Sequence, residues 1–136
     1  MSIGYSGTPL IKKLGIKAGS EIYLVNAPEN YFSLIEPLPE GVTVSTRLRQ
    51  STDLIHIFTS KKTELSKELH AYRSKIKPTA GVWVSWPKKS SKLPTDITED
   101  TIREVALPLG FVDIKVCAVT EVWSGLKLVI RKGQRS

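Results

Sequence analysis

The segment 86–92, with the sequence WPKKSSK, carries the clearest chemical signal in this 136-residue chain. Ammonium groups close to an indole ring are suited to hold an anionic or nucleotide-like ligand. The same segment also fits a plainer interpretation, a solvated lysine loop whose tryptophan covers the edge of a sheet. These residues alone leave both interpretations open.

Further polar side chains are expected near this segment. Ligands of open parallel sheets bind beyond the carboxyl ends of the strands, close to the point where the strand order reverses. Asn26 is predicted to follow the first strand, Ser60 the third, and Lys88 the fourth. A late hairpin is expected to open at the same edge. The candidate ligand-binding residues are therefore Asn26, Ser60, Lys88, Lys89, Trp123 and Ser124.

The titratable residues that most often carry catalysis form no known motif here. His56 lies inside an apolar strand, where a core histidine is favoured over a ligand. Cys117 is expected to be a small buried residue, since nothing around it predicts an activated thiolate. Two histidines and one cysteine without ligand spacing predict no metal site. Phosphate-binding glycine loops and hydrolase motifs are absent, so no catalytic residue is assigned.

Strands and helices alternate along the chain. Strands are predicted at 21–26, 42–47, 53–59, 82–86, 111–119 and 122–131, and helices at 8–15, 29–36, 61–76 and 97–109. Ser60 is the predicted cap of the third helix, and Asp96 or Thr98 that of the fourth, in which Pro108 must distort the last turn. This alternation favours a mostly parallel α/β sheet covered on both faces, with an antiparallel final pair. No linker divides the chain, so residues 1–136 are expected to form one domain.

Composition narrows the expected partners. Twenty Lys and Arg residues against thirteen Asp and Glu give a net charge of +7, which favours a small anionic ligand or nucleic acid. The basic residues are spread along the chain and form no dedicated arm. No apolar stretch approaches the roughly 20 residues that span a bilayer, and no secretion signal is visible, so we expect a cytoplasmic protein without a membrane partner.

From about Asp53 onward, the order of elements resembles a known family. A strand, an amphipathic helix, the turn KPTAG, a strand, a helix and a hairpin follow one another, as in the carboxy-terminal half of class I S-adenosylmethionine-dependent methyltransferases. The segment 14–22 (LGIKAGSEI) resembles the approach to that family's first strand. The resemblance implies a doubly wound, Rossmann-like, six-stranded sheet of order 2-1-3-4-6-5, with strand 6 antiparallel and helices on both faces.

The cofactor-binding features of that family are missing from the sequence. The glycine-rich loop that should follow the first strand is replaced by residues 26–30 (NAPEN). The acidic residue that usually ends the second strand is replaced by residues 45–49 (STRLR). The resemblance therefore implies the scaffold without the usual methyl transfer, and no cofactor is expected.

Short motifs along nearly the whole chain closely resemble a second family, short bacterial proteins classed as a domain of unknown function. The motifs are GYSGTPL (4–10), NAP (26–28), WPKK (86–89), PTDITED (94–100), VDIKVC (112–117) and WSGLK (123–127). This resemblance implies a fold and no known activity. Residues 4–7 form either a flap over the candidate site or a plain amino-terminal arm.

Three functions remain open from the sequence. The first is a non-catalytic or regulatory binding module for a small anionic or nucleotide-like ligand, with Asn26, Lys88, Lys89 and Trp123 in contact. The second is an enzyme on a diverged methyltransferase-like scaffold, in which acid–base chemistry would fall to Lys88, Asp96 or Glu121. The third is RNA association through the basic surface. The oligomeric state is not indicated.

Overall fold

Six strands form one mixed sheet in the computed structural model, which describes residues 9–134. The strands are β1 (Glu21–Val25), β2 (Thr43–Ser45), β3 (Leu54–Phe58), β4 (Gly81–Pro87), β5 (Phe111–Ala118) and β6 (Trp123–Ile130). Their order is β2-β1-β3-β4-β6-β5, and β6 runs antiparallel to both of its neighbours. The predicted order and the direction of the sixth strand are confirmed. Residues 4–7, for which a flap and a plain arm were both open, lie outside the described range.

Helices cover both faces of the sheet. They are α1 (Leu10–Leu14), α2 (Tyr31–Leu34), α3 (Lys62–Lys75) and α4 (Glu99–Ala106), with 3₁₀ turns at Lys89–Ser91, Leu107–Leu109 and Lys132–Gln134. The helix predicted at 29–36 is a single turn, because the prolines on either side leave little chain to continue it. None of the helices within residues 9–134 combines the length and apolar character of a bilayer-spanning segment.

Two apolar clusters lie on opposite faces of the sheet. Beneath α3 and α4, Leu65, Leu69 and Ile102 pack on side chains from β3, β4 and β6. Beneath α1 and α2, Leu14 and Tyr31 pack on the other face. All residues of β3 and β4 are buried, which explains why these strands have almost continuously apolar sequences instead of alternating ones.

The start of α3 differs from the prediction. Ser60 is not its cap, because the helix begins one residue later and the capping position falls on Lys61, which makes no side-chain capping bond. Instead, the backbone N–H of Lys62 donates to Oδ1 of Asp96 at 2.6 Å. A residue 34 positions further along the chain thus satisfies a donor that a local cap normally serves.

The predicted features of α4 are present. Oγ1 of Thr98 accepts the backbone N–H of Thr101 at 3.2 Å, so Thr98 is the cap and Asp96 is free to serve α3. Pro108 ends the helix in a 3₁₀ turn, as expected from its missing N–H. Gly110 then adopts a left-handed conformation with φ 95°, which turns the chain into β5.

Candidate ligand-binding site at the carboxyl edge

The parallel strands β1, β3 and β4 end at one edge of the sheet, which we call the carboxyl edge. Asn26 follows β1, Ser60 lies two residues beyond β3, and Lys88 follows β4. The antiparallel strand β6 begins there, since Trp123 pairs with Pro87. The carboxyl edge therefore brings together the backbone positions of all six candidate residues, but their side chains have different surroundings.

Asn26 joins the ends of two strands. Its backbone is left-handed with φ 58°, a conformation that asparagine tolerates better than most residues. Its Nδ2 donates to the carbonyl of Phe58 at 3.1 Å and to Oε2 of Glu64 at 3.3 Å. The hydroxyl of Thr59 donates to the other oxygen of the same carboxylate. The amide donors of Asn26 are thus used within the protein, in a bridge between β1, β3 and α3.

Ser60 connects the end of β3 to the loop before α4. Its carbonyl accepts the backbone N–H of Asp96 and the hydroxyl of Thr95, both at 3.1 Å. On the other side of the loop, the backbone N–H of Lys88 donates to the carbonyl of Val122 at 2.7 Å. The lysine-bearing segment is therefore fixed at both ends to the sheet.

Trp123 and Ser124 lie on opposite faces of the sheet. The ring of Trp123 meets that of Phe58 edge-on at 5.1 Å, on the face covered by α1 and α2. Because side chains alternate along a strand, Ser124 lies on the face covered by α3 and α4, where it pairs with Trp86. The two neighbouring candidate residues cannot contact a small ligand from the same side.

A cleft of about 530 Å³ opens between the end of β4 and the start of α4. Of the six candidate residues, Lys89 lines it; other lining residues include Trp86, Thr95, Thr98, Glu99 and Arg103. Sequence reasoning missed the threonines and Arg103 as site residues, because their patterns indicate helix capping and a solvated helix face.

The acidic side chains of the cleft are already paired. Arg103 forms ion pairs with Glu99 at 3.0 Å, Asp100 at 3.1 Å and Asp113 at 3.1 Å. In contrast, the ammonium groups of residues 88, 89 and 92 form no salt bridge with any residue in the range 9–134. The charged residues of the lining, Lys89, Arg103, Glu99 and Asp100, have no net charge, and among them only Lys89 has no ion-pair partner within residues 9–134.

His56 belongs to the core. Its Nδ1 lies 2.9 Å from the Tyr31 hydroxyl and its Nε2 lies 2.7 Å from the Ser85 hydroxyl, while its ring stacks on Phe58 at 4.3 Å. Complete burial lowers the pKa of His56 to about 3, so the ring is neutral at physiological pH. The predicted core role is confirmed, since both ring nitrogens have partners inside the protein.

The other side chains considered for chemistry have ordinary surroundings. Asp96 accepts a helix N–H, as described above, and Glu121 is exposed in the turn between β5 and β6. Cys117 is half-buried, less than expected, and burial raises the pKa of its thiol, which disfavours the thiolate. Within residues 9–134, no group of three or more His, Cys, Asp or Glu side chains could hold a metal ion.

The loops do not fit S-adenosylmethionine in the way the resemblance implies. Asn26 and Pro28 stand where backbone should approach the cofactor, and the Asn26 side chain bridges the strand ends at that point. At the end of β2, the hydroxyl of Ser45 bonds to the backbone of Arg47, and residues 43–49 offer no carboxylate for ribose hydroxyls. The positions that hold the cofactor in the family are occupied here by groups bonded to the protein itself.

Comparison with known proteins yields structural likeness without sequence matches. No protein-family model and no curated protein sequence matches the chain, so kinship with the uncharacterised bacterial family stays a prediction. An S-adenosylmethionine-dependent methyltransferase from Aquifex aeolicus has a TM-score of 0.66 and 16% identity, with 89% of this chain and 87% of that chain covered. A tRNA methyltransferase from B. subtilis has a TM-score of 0.62 and 12% identity, with 90% and 65% covered.

A third solved structure shares the same architecture. A ribosomal protein methylase from Lactobacillus delbrueckii subsp. bulgaricus has a TM-score of 0.52 and 9% identity, with 90% of this chain and 75% of that chain covered. Identities this low establish shared architecture and leave chemistry open. The chain therefore has the Rossmann-like fold of class I methyltransferases.

Proposed function

We propose that this protein is a binding module for a small anionic or nucleotide-like ligand, held in the cleft between β4 and α4. The observation that carries the proposal is the charge distribution at the cleft. Its carboxylates are paired with Arg103, whereas Lys89 on its wall has no acidic partner among the described residues. An anion would supply the missing partner.

The shape and lining of the cleft support the same ligand class. Its volume of about 530 Å³ lies within the range of small-molecule sites. Trp86 and Pro87 offer an apolar wall for a base or another flat ring. The first turn of α4 lines the opposite side, where Glu99 and Asp100 already supply the negative charge that a helix start favours, so the anion is expected on the Lys89 side of the cleft.

A thermal-shift screen tests this proposal. The ligands are nucleotides, nicotinamide cofactors, S-adenosylmethionine and short RNA, each added at constant ionic strength. We expect one or more small anions to raise the melting temperature, and the double variant K88A/K89A to abolish that rise. The matched control K67A/K75A removes the same charge from exposed positions on α3 and should respond like the wild type. Unchanged stabilisation of K88A/K89A would exclude this site.

The fold comparison supports a second candidate, a diverged enzyme on the methyltransferase scaffold. Its predicted acid–base residues are poorly placed for it, since Asp96 serves α3 and Glu121 is exposed. Stabilisation by S-adenosylmethionine that survives K88A/K89A would favour this candidate over the binding module.

RNA association is the third candidate and rests on the net charge of +7. Binding through phosphate contacts weakens steeply as salt rises. RNA affinity that falls with salt and is lost equally in K88A/K89A and K67A/K75A would favour a diffuse basic surface. Loss in K88A/K89A alone would point back to the cleft.

A further inference from the structure

Lys127 is a charged residue on the inner part of the sheet, near the edge opposite the candidate cleft. It lies on β6 between Trp83 of β4 and Lys115 of β5, with which it is in direct register. A Cβ at Gly81 would lie 2.9 Å from Cε of Lys127, and a Cβ at Gly15 would lie 3.3 Å from its Nζ. The two glycines thus make room for this lysine side chain.

The ammonium group of Lys127 has no partner among the described residues. Its neighbour Lys115 donates to the carbonyl of Lys13 at 3.0 Å, whereas Lys127 forms no hydrogen bond or ion pair within that range. Like charges directly opposite in an antiparallel pair are destabilising. Burial, followed by the charges of Lys115 and Lys17, lowers the pKa of Lys127. The charge of Lys127 therefore destabilises the folded protein, and no hydrogen bond or ion pair among the described residues compensates for it.

Lys127 lines a pocket of about 410 Å³. Its lining includes Lys17, Ser20, Asp53, Thr79 and Lys127. The Asp53 carboxylate does not neutralise the two lysines of the lining, because Oδ1 accepts Lys77 at 2.6 Å and Oδ2 accepts the backbone N–H of Glu21 at 2.8 Å. Among the described residues, the pocket thus combines two ammonium groups that lack a carboxylate partner with two hydroxyls.

We propose that this pocket, which we call the amino-edge pocket, binds a small phosphate-bearing anion. Lys127 and Lys17 would donate to its oxygens, and the hydroxyls of Ser20 and Thr79 lie on the same lining. A phosphate dianion balances two ammonium charges and accepts several charge-assisted hydrogen bonds, which a chloride ion cannot do. Its binding also offsets the repulsion between Lys127 and Lys115. The proposal is independent of the cleft at the carboxyl edge.

Titration with inorganic phosphate and pyrophosphate, against chloride at equal ionic strength, tests the amino-edge pocket. The readouts are the melting temperature and the NMR signals of the Lys127 side chain. We expect both anions to stabilise the wild type and to shift those signals. In K127M the affinity should fall about tenfold or more, the loss expected for a charged hydrogen bond. K127M should still fold, because methionine keeps the apolar stem and removes a partly buried charge.

Two further variants test whether the Lys127 side chain itself holds the anion. G81A places a methyl group 2.9 Å from Cε of Lys127, closer than van der Waals contact allows, so it should displace the side chain and weaken phosphate binding. K67M, at an exposed position on α3, should bind as the wild type does. Adenosine monophosphate as a third ligand distinguishes a phosphate ester from free phosphate, since tighter binding than phosphate identifies an ester as the preferred form.

The proposal is overturned if neither phosphate nor pyrophosphate stabilises the wild type beyond chloride, or if K127M binds them with unchanged affinity. Loss of phosphate binding in K88A/K89A with retention in K127M would place the anion at the carboxyl edge instead. Loss in K127M with retention in K88A/K89A supports the amino-edge pocket even if the proposed cleft fails its own test.

Discussion

Two groups of polar side chains, one in the middle of the sheet and one at its carboxyl edge, differ in whether their polar groups have partners within the protein. In the buried chain formed by Tyr31, His56 and Ser85, each ring nitrogen meets a hydroxyl and all three side chains are buried. In the lysine loop, residues 88–92, the ammonium groups have no carboxylate partners among the described residues. Satisfied polar groups in a core specify and stabilise the fold. Unpaired charges at the surface add little stability, so the lysine loop contributes little to the stability of the fold.

The largest expected effect comes from breaking the buried chain at its centre. His56→Ala removes the ring, leaves two buried hydroxyls without partners and opens a cavity. We expect the free energy of unfolding to fall by about 4 kcal/mol. Urea denaturation followed by circular dichroism measures it. The exposed His70→Ala is the control and should change stability by less than about 0.5 kcal/mol; equal effects of the two variants would contradict the structural role of His56.

The same histidine predicts how stability depends on pH. The pKa of His56 is about 3 in the folded protein and 6.5 in the unfolded chain, so only the unfolded state takes up the proton at mildly acidic pH. Stability is therefore fully present above pH 6.5 and is lost as the pH falls, by about 1.4 kcal/mol per pH unit. Urea titrations between about pH 6.5 and 5 measure the slope, before most carboxylates titrate. His56→Gln should reduce the dependence of the free energy of unfolding on pH in this range.

A smaller effect is expected at the end of the buried chain. Tyr31→Phe keeps the ring and removes the hydroxyl that pairs with His56, so stability should fall by about 1–2 kcal/mol. Tyr72→Phe is a matched control, because the buried Tyr72 hydroxyl has no close hydrogen-bond partner among the described residues and interacts only at longer range with the Glu68 carboxylate. Thermal and urea unfolding of both variants compare them. A larger loss in the Tyr72 variant would undermine the distinction between paired and unpaired hydroxyls.

The smallest effect on stability is expected in the lysine loop. K88A/K89A removes charges that form no ion pairs with the described residues, so the free energy of unfolding should change by less than about 0.5 kcal/mol. The same variant should lose the ligand response described above. Urea denaturation without ligand provides the measurement. A destabilisation similar to that of Tyr31→Phe would show that these lysines have a structural role, and the contrast with the buried chain would then fail.

Strand order and the shared edge were predictable because they depend on patterns within short segments and on resemblance at the level of whole elements. Continuous apolar runs indicated β3 and β4, and helical spacing indicated α3. The core position of His56 followed from its apolar neighbours. These features need no knowledge of which distant residues meet.

Features that depend on distant contacts were not predictable. Asp96 accepts a backbone N–H of α3 that lies 34 residues away in sequence. Arg103 forms ion pairs with three carboxylates on two elements. That Trp123 and Ser124 face opposite sides follows from the alternation of side chains along a strand, but which of the two faces α3 and α4 depends on the register between β4 and β6, which no local pattern contains. The amino-edge pocket was not predicted for the same reason, since Lys17 and Lys127 are 110 positions apart in sequence.

The attachment of residues 88–96 at both ends has a consequence for protein engineering. Lys88 is bonded to Val122, and Thr95 and Asp96 are bonded to Ser60, so residues 89–94 lie between two anchor points and take no part in strand pairing. Changes in length within that interval should leave the strand register intact, as insertions at exposed loop tips generally do. The interval is consequently a suitable place to insert a fluorescent reporter or a short peptide tag that senses events at the cleft.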